Sequence, residues 1–355
     1  MKKLSSSFLI IFILAAIFFS CQKEPNDPSP PDNHPAVDVY IAGYASNGSA
    51  SYEAKYLKNG QSVSLTDGTK TRAYAFSIAV VGNDVYVAGS EGNGSFDVAK
   101  YWKNGQSVSL GTRESYAYSI AVVGSDVYVA GKEDDGSTFV AKYWKNGVPV
   151  SLTDGRSSSV ATSIAVMGSD VYVAGYVYNG SYFEAKYWKN SVAVSLTDGT
   201  KQSVARSITV VGSDVYVAGF VSNGAVVNGP PDIAKYWKNG VAVSLSDAAN
   251  GSGAYSIAVV GSDVYVAGIE YNDRSVAIAT YWKNGQRVLL TDGRNTSSAE
   301  SIAVAGSDVY VAGYEYNLVN GNPVEVASYW KNGQPVSITD GFKDGPATEI
   351  FLVKK

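Results

Sequence analysis

One histidine and one cysteine supply all the imidazole and thiol in this 355-residue chain. Both, His34 and Cys21, fall within the first 36 residues. Imidazole or thiolate metal sites, serine–histidine triads and cysteine nucleophiles are thereby excluded from residues 37–355. The lack of an internal disulfide agrees with a core large enough to need no staple. Charge is sparse and balanced, with 28 basic against 32 acidic residues and a net −4, and no basic stripe invites nucleic acid. No cofactor, metal site or catalytic residue is expected.

What is abundant is tyrosine, at 26, and glycine, at 36, which suits β-structure with many tight turns. Helix is expected only in the leader. There Lys2 and Lys3 precede an unbroken apolar run from Phe8 to Phe19, and small Ser20 precedes Cys21. This order resembles a bacterial lipoprotein signal peptide. The resemblance implies cleavage after residue 20, lipidation of Cys21 including palmitate, and a mature protein held on a lipid bilayer of the cell envelope, with the outer membrane as the expected address. The apolar run is short of the about 20 residues a membrane span needs. Residues 21–36 carry five prolines and no apolar pattern, the composition of an extended tether. His34 belongs to it.

From Val37 onward the chain repeats. "SIAVVGSDVYVAG" begins at Ser119, and near-copies begin at Ser77, Ser163, Ser207, Ser256 and Ser301, a period of about 45 residues. A second track, "YWKNG", recurs at Tyr101, Tyr143, Tyr236, Tyr281 and Tyr329, with "YLKNG" at Tyr56 and "YWKNS" at Tyr187. Each unit reads as four short strands separated by Gly, Asn and Asp, and Asn-Gly between apolar runs signals a hairpin. Four strands at this period indicate a propeller blade. The first unit lacks its opening strand, and "ATEIFLVKK" from Ala347 supplies it at the other terminus. The expected fold is therefore an all-β, seven-bladed propeller over residues 37–355, closed by its C-terminal strand.

Most repeated residues read as architecture. Six tryptophans, with Leu57 in the seventh position, are expected between blades rather than in an exposed row for sugars. The aspartates of "GSD" and of "TDG" are expected to bond their own turn backbone. "KEDDGS" at Lys132 is expected to be a polar loop and not a calcium site.

"SIAVVGSDVYVAGY…AKYWKNGVPVSL" resembles kelch-like and related bacterial extracellular propeller repeats, although the kelch double glycine is "AG" here. The resemblance implies a binding platform or an enzyme, and fold alone does not choose.

Variation marks where function sits. The first-to-second and third-to-fourth turns, on one face, hardly change. The longest departures, "VSNGAVVNGPPD" from Val221 and "YEYNLVNGNPVE" from Tyr314, are expected as loops on the other face. In Ala-X-Ser-Ile, X varies before each first strand: Phe76, Tyr118, Thr162, Arg206, Tyr255 and Glu300, with Thr348 in the closing strand. Aromatics, a cation, a carboxylate and hydroxyls converging on one rim would hold a small polar or sugar-like ligand. Three classes of function fit. A membrane-anchored binding module for a glycan, peptide or protein is favoured. A structural scaffold in an envelope complex and a carboxylate-based hydrolase or lyase are the alternatives.

Overall fold

The computed structural model describes residues 37–46, 51–68, 72–224, 232–246, 250–319, 322–336, 338 and 345–355. The leader, Cys21, the tether with His34, and Asp340 lie outside the described residues. No helix occurs among those described, and the strands form seven four-stranded antiparallel sheets. Blade 2 shows the plan, with strands Ala73–Val81, Asp84–Gly92, Asp97–Lys103 and Gln106–Ser109 in sequence order. Blades 3 to 7 repeat it, their first strands being Ser115–Val123, Ser159–Met167, Ser203–Val211, Ser252–Val260 and Ser297–Ala305. Blade 1 joins Val37–Ser46, Tyr52–Lys58 and Gln61–Ser64 to the C-terminal strand Ala347–Lys354, which pairs with Val37–Ser46. The ring is closed as its repeat predicts.

Turn chemistry sets the blade. In "KNG", Asn104 and Gly105 have φ of 50° and 81°, the two positive values a type I′ hairpin turn needs. In the first turn Gly82 alone takes positive φ, 60°, as the first central residue of a type II′ turn does. Both turns lie on one face and are bonded together. The Asn104 side chain accepts from the Val85 N–H and donates to Asp84, while Lys103 pairs with Asp84 at 2.8 Å. The "GSD" aspartates therefore brace the neighbouring hairpin turn, which corrects the expectation that they bond their own turn backbone. These contacts hold the Asp84 carboxyl below its ordinary range, the Lys103 bond first and the Asn104 bond second. The "TDG" aspartates do cap their own turns, Asp154 accepting from Arg156 N and Asp198 from Thr200 N.

Between adjacent blades lies one apolar core per seam. Ala79, Tyr86, Ala88 and Leu110 of blade 2 meet Ile120, Val129 and Trp144 of blade 3. The closing seam is built alike, from Ala305, Tyr310 and Ala312 against Ile41, Leu57 and Ile350. All six tryptophans are at most 2% exposed, so they are packing residues. Along the inner ring, a first-strand serine accepts a backbone N–H from the next blade. Ile120 N donates to Ser77 at 2.9 Å, Ile164 N to Ser119 at 3.2 Å and Ile350 N to Ser301 at 3.1 Å.

Candidate functional site

Each first strand carries one residue more than its partner can pair. In blade 2, Ala75 lies opposite Gly89 and Ser77 opposite Ala88, so Phe76 is left over. The same shift skips Tyr118, Thr162, Arg206, Tyr255, Glu300 and Thr348. The variable residue thus sits inside the first strand, at a β-bulge, not before the strand as its spacing suggests. A bulge leaves its extra residue out of the ladder and re-aims the side chain.

The bulge explains the glycine that ends "VYVAG". It drives a carbonyl against the second strand, and a Cβ at Gly89 would stand 1.8 Å from the Tyr74 oxygen and 3.0 Å from the Trp102 ring. At Gly131, Gly175 and Gly219 the corresponding carbonyl distances are 1.9, 2.0 and 2.0 Å. No side chain fits there.

Five of the seven bulge residues, Tyr118, Thr162, Arg206, Tyr255 and Glu300, line one cavity of about 460 Å³. Val160, Tyr176 and Tyr314 complete its wall. Phe76 is outside the lining and buttresses it, its ring centroid 5.5 Å from that of Tyr118 and 5.8 Å from the stacked Tyr74. The threonines serve the seams. Thr162 Oγ1 is 2.8 Å from the Ala205 carbonyl oxygen of the next blade, and Thr348 Oγ1 donates to Ala75 O at 2.9 Å.

The charges are held in different ways. The Arg206 guanidinium stands over rings, its central carbon 5.6 Å from the Tyr255 centroid and 6.0 Å from that of Phe220. No carboxylate among the described residues is in ion-pair contact with it. Glu300 Oε1 accepts from Ser298 Oγ at 2.5 Å. Burial pushes the Glu300 carboxyl up, opposed by the Ser298 bond and the Arg206 charge. Glu325, on the third strand of blade 7, is likewise pushed up by burial and then by Glu300. Burial also raises the phenols of Tyr118, Tyr176, Tyr255 and Tyr314, which stay neutral near pH 7. The mouth therefore offers neutral phenols as walls and hydrogen-bonding groups, one permanent cation and one carboxyl.

Tyr176 and Tyr314 lie outside the Ala-X-Ser-Ile candidates, Tyr314 being named only as the start of a variable stretch. The residue after "VYVAG" also varies, through Tyr44, Ser90, Lys132, Tyr176, Phe220, Ile269 and Tyr314, and that second variable column was the available signal. The expected loop from Tyr314 is mostly strand. The hairpin runs on through Asp308–Val319 and Asn322–Lys331, with Tyr316 opposite Glu325. Most of the loop after Val221, residues 225–231, lies outside the described residues. In "KEDDGS", Asp135 Oδ1 accepts from the N–H groups of Ser137 and Thr138, as a turn residue does.

No family model matches the sequence, and no curated protein matches it. Solved structures do match. The ring is similar to the β-propeller domain of the Trilobed protease from Pyrococcus furiosus, with a TM-score of 0.53 and 11% identity over 86% of this chain and 92% of that one. It is also similar to an acylaminoacyl peptidase from Pyrococcus horikoshii, TM-score 0.52 and 13% identity, covering 88% of this chain and 52% of the peptidase. The chain thus spans about half of the peptidase's length. At these identities the likeness is one of fold. The Trilobed protease domain is described as having an open velcro topology, whereas here the C-terminal strand pairs with Val37–Ser46.

Proposed function

We propose that this chain is a binding module that captures a small polar ligand, of glycan or peptide character, at the variable mouth of its channel. The observation that carries the reading is that seven bulges each deliver a variable side chain, and five of those side chains share a cavity. A rigid ring with variation confined to one mouth is how binding sites are placed on repeat scaffolds. In the same reading the kelch-like repeats are a platform and Cys21 is the lipid attachment point that holds it at the bacterial envelope, the tether setting its distance from the bilayer. The order of charge, apolar run, Ser20 and Cys21 supports that part.

The test is a binding screen of the full-length chain against soluble saccharides and short peptides, beside the Arg206→Ala/Glu300→Ala double variant. Binding that the double variant loses is expected. A folded protein that binds nothing in either class overturns the reading. Anchoring is tested separately, by labelled fatty acid that the chain should incorporate and Cys21→Ser should not.

A further inference from the structure

Arg206 belongs to blade 5 and Glu300 to blade 7, with Tyr255 of blade 6 between them. The Tyr255 phenol registers both, raised by Glu300 and lowered by Arg206 after the larger effect of burial. Both groups line the same cavity, yet they form no ion pair with each other or with any other described residue. Arg206 is solvent-exposed and arginine keeps its proton at any ordinary pH, so the mouth presents a permanent cation with no carboxylate among the described residues in ion-pair contact. A neutral saccharide would hydrogen-bond to the mouth and leave the guanidinium charge unmatched. A ligand with opposite charges at its two ends would match both groups.

The walls fit that polarity. Tyr314 lies opposite Ser298, whose hydroxyl donates to Glu300, and Tyr255 lines the cavity from the adjacent blade, so the Glu300 end carries two aromatic rings, the surroundings an ammonium group favours. Tyr176, on blade 4 beside the Arg206 blade, and Tyr118, on blade 3, line the cavity on the side of Arg206 away from Glu300, where a carboxylate would accept further hydrogen bonds. We propose that the mouth takes a zwitterion, an α-amino acid or a short peptide with free termini, its carboxylate on Arg206 and its ammonium at Glu300 across the Tyr255 ring. This inference rests on the binding reading and narrows it.

A second consequence concerns protons. Around Glu300 the titratable and charged groups are Arg206, Tyr255, Tyr314, Glu325 and Tyr44. An arriving ammonium adds a cation beside the raised carboxyl and favours its ionised form, so binding releases protons and tightens as pH rises through the Glu300 titration.

The experiment is calorimetric titration of the full-length chain with alanine, tri-alanine, N-acetyl-tri-alanine, tri-alanine amide and a neutral trisaccharide. The expected result is binding of the free zwitterion, with at least a tenfold loss on acetylating the amine and on amidating the carboxylate. Binding of alanine as well as tri-alanine assigns the site to amino acids, and of tri-alanine alone to peptides. Arg206→Gln should abolish the penalty for amidation and keep that for acetylation, and Glu300→Gln should do the reverse, a split that a merely structural defect would not produce. Should a variant fail to fold, the blocked-ligand series on the parent chain still decides. Blocked peptides that bind as well as free ones overturn the proposal. Trisaccharide binding without zwitterion binding also overturns it and leaves the binding reading standing. Silence from every ligand on a folded chain overturns both.

Discussion

Glu349 accepts the backbone N–H of Ile78 at 2.5 Å, joining residues 271 positions apart and completing a ring that serines build at the other six seams. The closing strand reads Ala-Thr-Glu-Ile where its siblings read Ala-X-Ser-Ile, so a carboxyl does a hydroxyl's work at this seam.

That substitution makes the closure sensitive to pH. Burial pushes the Glu349 carboxyl up to about 7, with the bonds to Ser77 and Ile78 opposing the rise. The folded state then keeps a proton that the unfolded chain releases from about pH 4.5 upward. Stability contributed by this group is full below that value, falls as pH rises and is gone above about 7. Glu349→Gln should therefore flatten part of the decline and stabilise the ring at pH 8 by roughly 2 kcal/mol, after discounting for partial exposure. Denaturant midpoints of parent and variant at pH 5 and pH 8 measure it. Equal declines in the two would assign the slope to other raised carboxyls, such as Glu300 and Glu325.

Closure and packing should fail together. Deleting residues 349–353 removes the pairs of Ile41 with Ile350 and Tyr40 with Phe351, and with them the seam between blades 7 and 1. The expected outcome is loss of a cooperative melt, read by circular dichroism. Trp144→Ala, which empties a fully buried site in a seam, should cost about 3–5 kcal/mol and leave the transition cooperative.

The architecture was legible because its signals are local. Two-residue turns demand Gly and Asn at fixed places, and Gly82, Asn104 and Gly105 show those demands met. The partner of Asp84 was not legible, since Asn104 reaches it only once the third strand has folded back. Nor was the bulge. A skipped residue such as Phe76 shows up as a shift of register against Gly89 and Ala88, which one strand's sequence does not contain. The list X therefore named five residues of the mouth, with Phe76 and Thr348 outside its lining, while Tyr176 and Tyr314, delivered by the second strand, needed the pairing to be known.

One turn departs from its own rule. Where six copies of the third-to-fourth turn place glycine, blade 4 has Ser191, held at φ 67° in the left-handed region. A side chain there costs about 1 kcal/mol relative to glycine. Ser191→Gly should raise stability by about that amount, read as a shift in denaturant midpoint with unchanged slope. No gain would mean that the Ser191 side chain makes a compensating contact.

The bulge also ties stability to the site. A Cβ at Gly219 would stand 2.0 Å from the Val204 carbonyl oxygen and 3.1 Å from the Ala205 Cα, the backbone that immediately precedes Arg206. These are backbone atoms, so Gly219→Ala can be relieved only by moving the first strand of blade 5, and Arg206 moves with it. The expected result is a loss of about 2 kcal/mol or more together with weaker binding at the mouth. Gly240→Ala separates the two effects. It lies at φ 82° in the distant third-to-fourth turn of the same blade, with open space where its Cβ would go, so it should cost stability alone. Ligand titrations of both variants, under conditions where each remains folded, decide the matter: equal affinities in the two would sever the bulge from the positioning of Arg206.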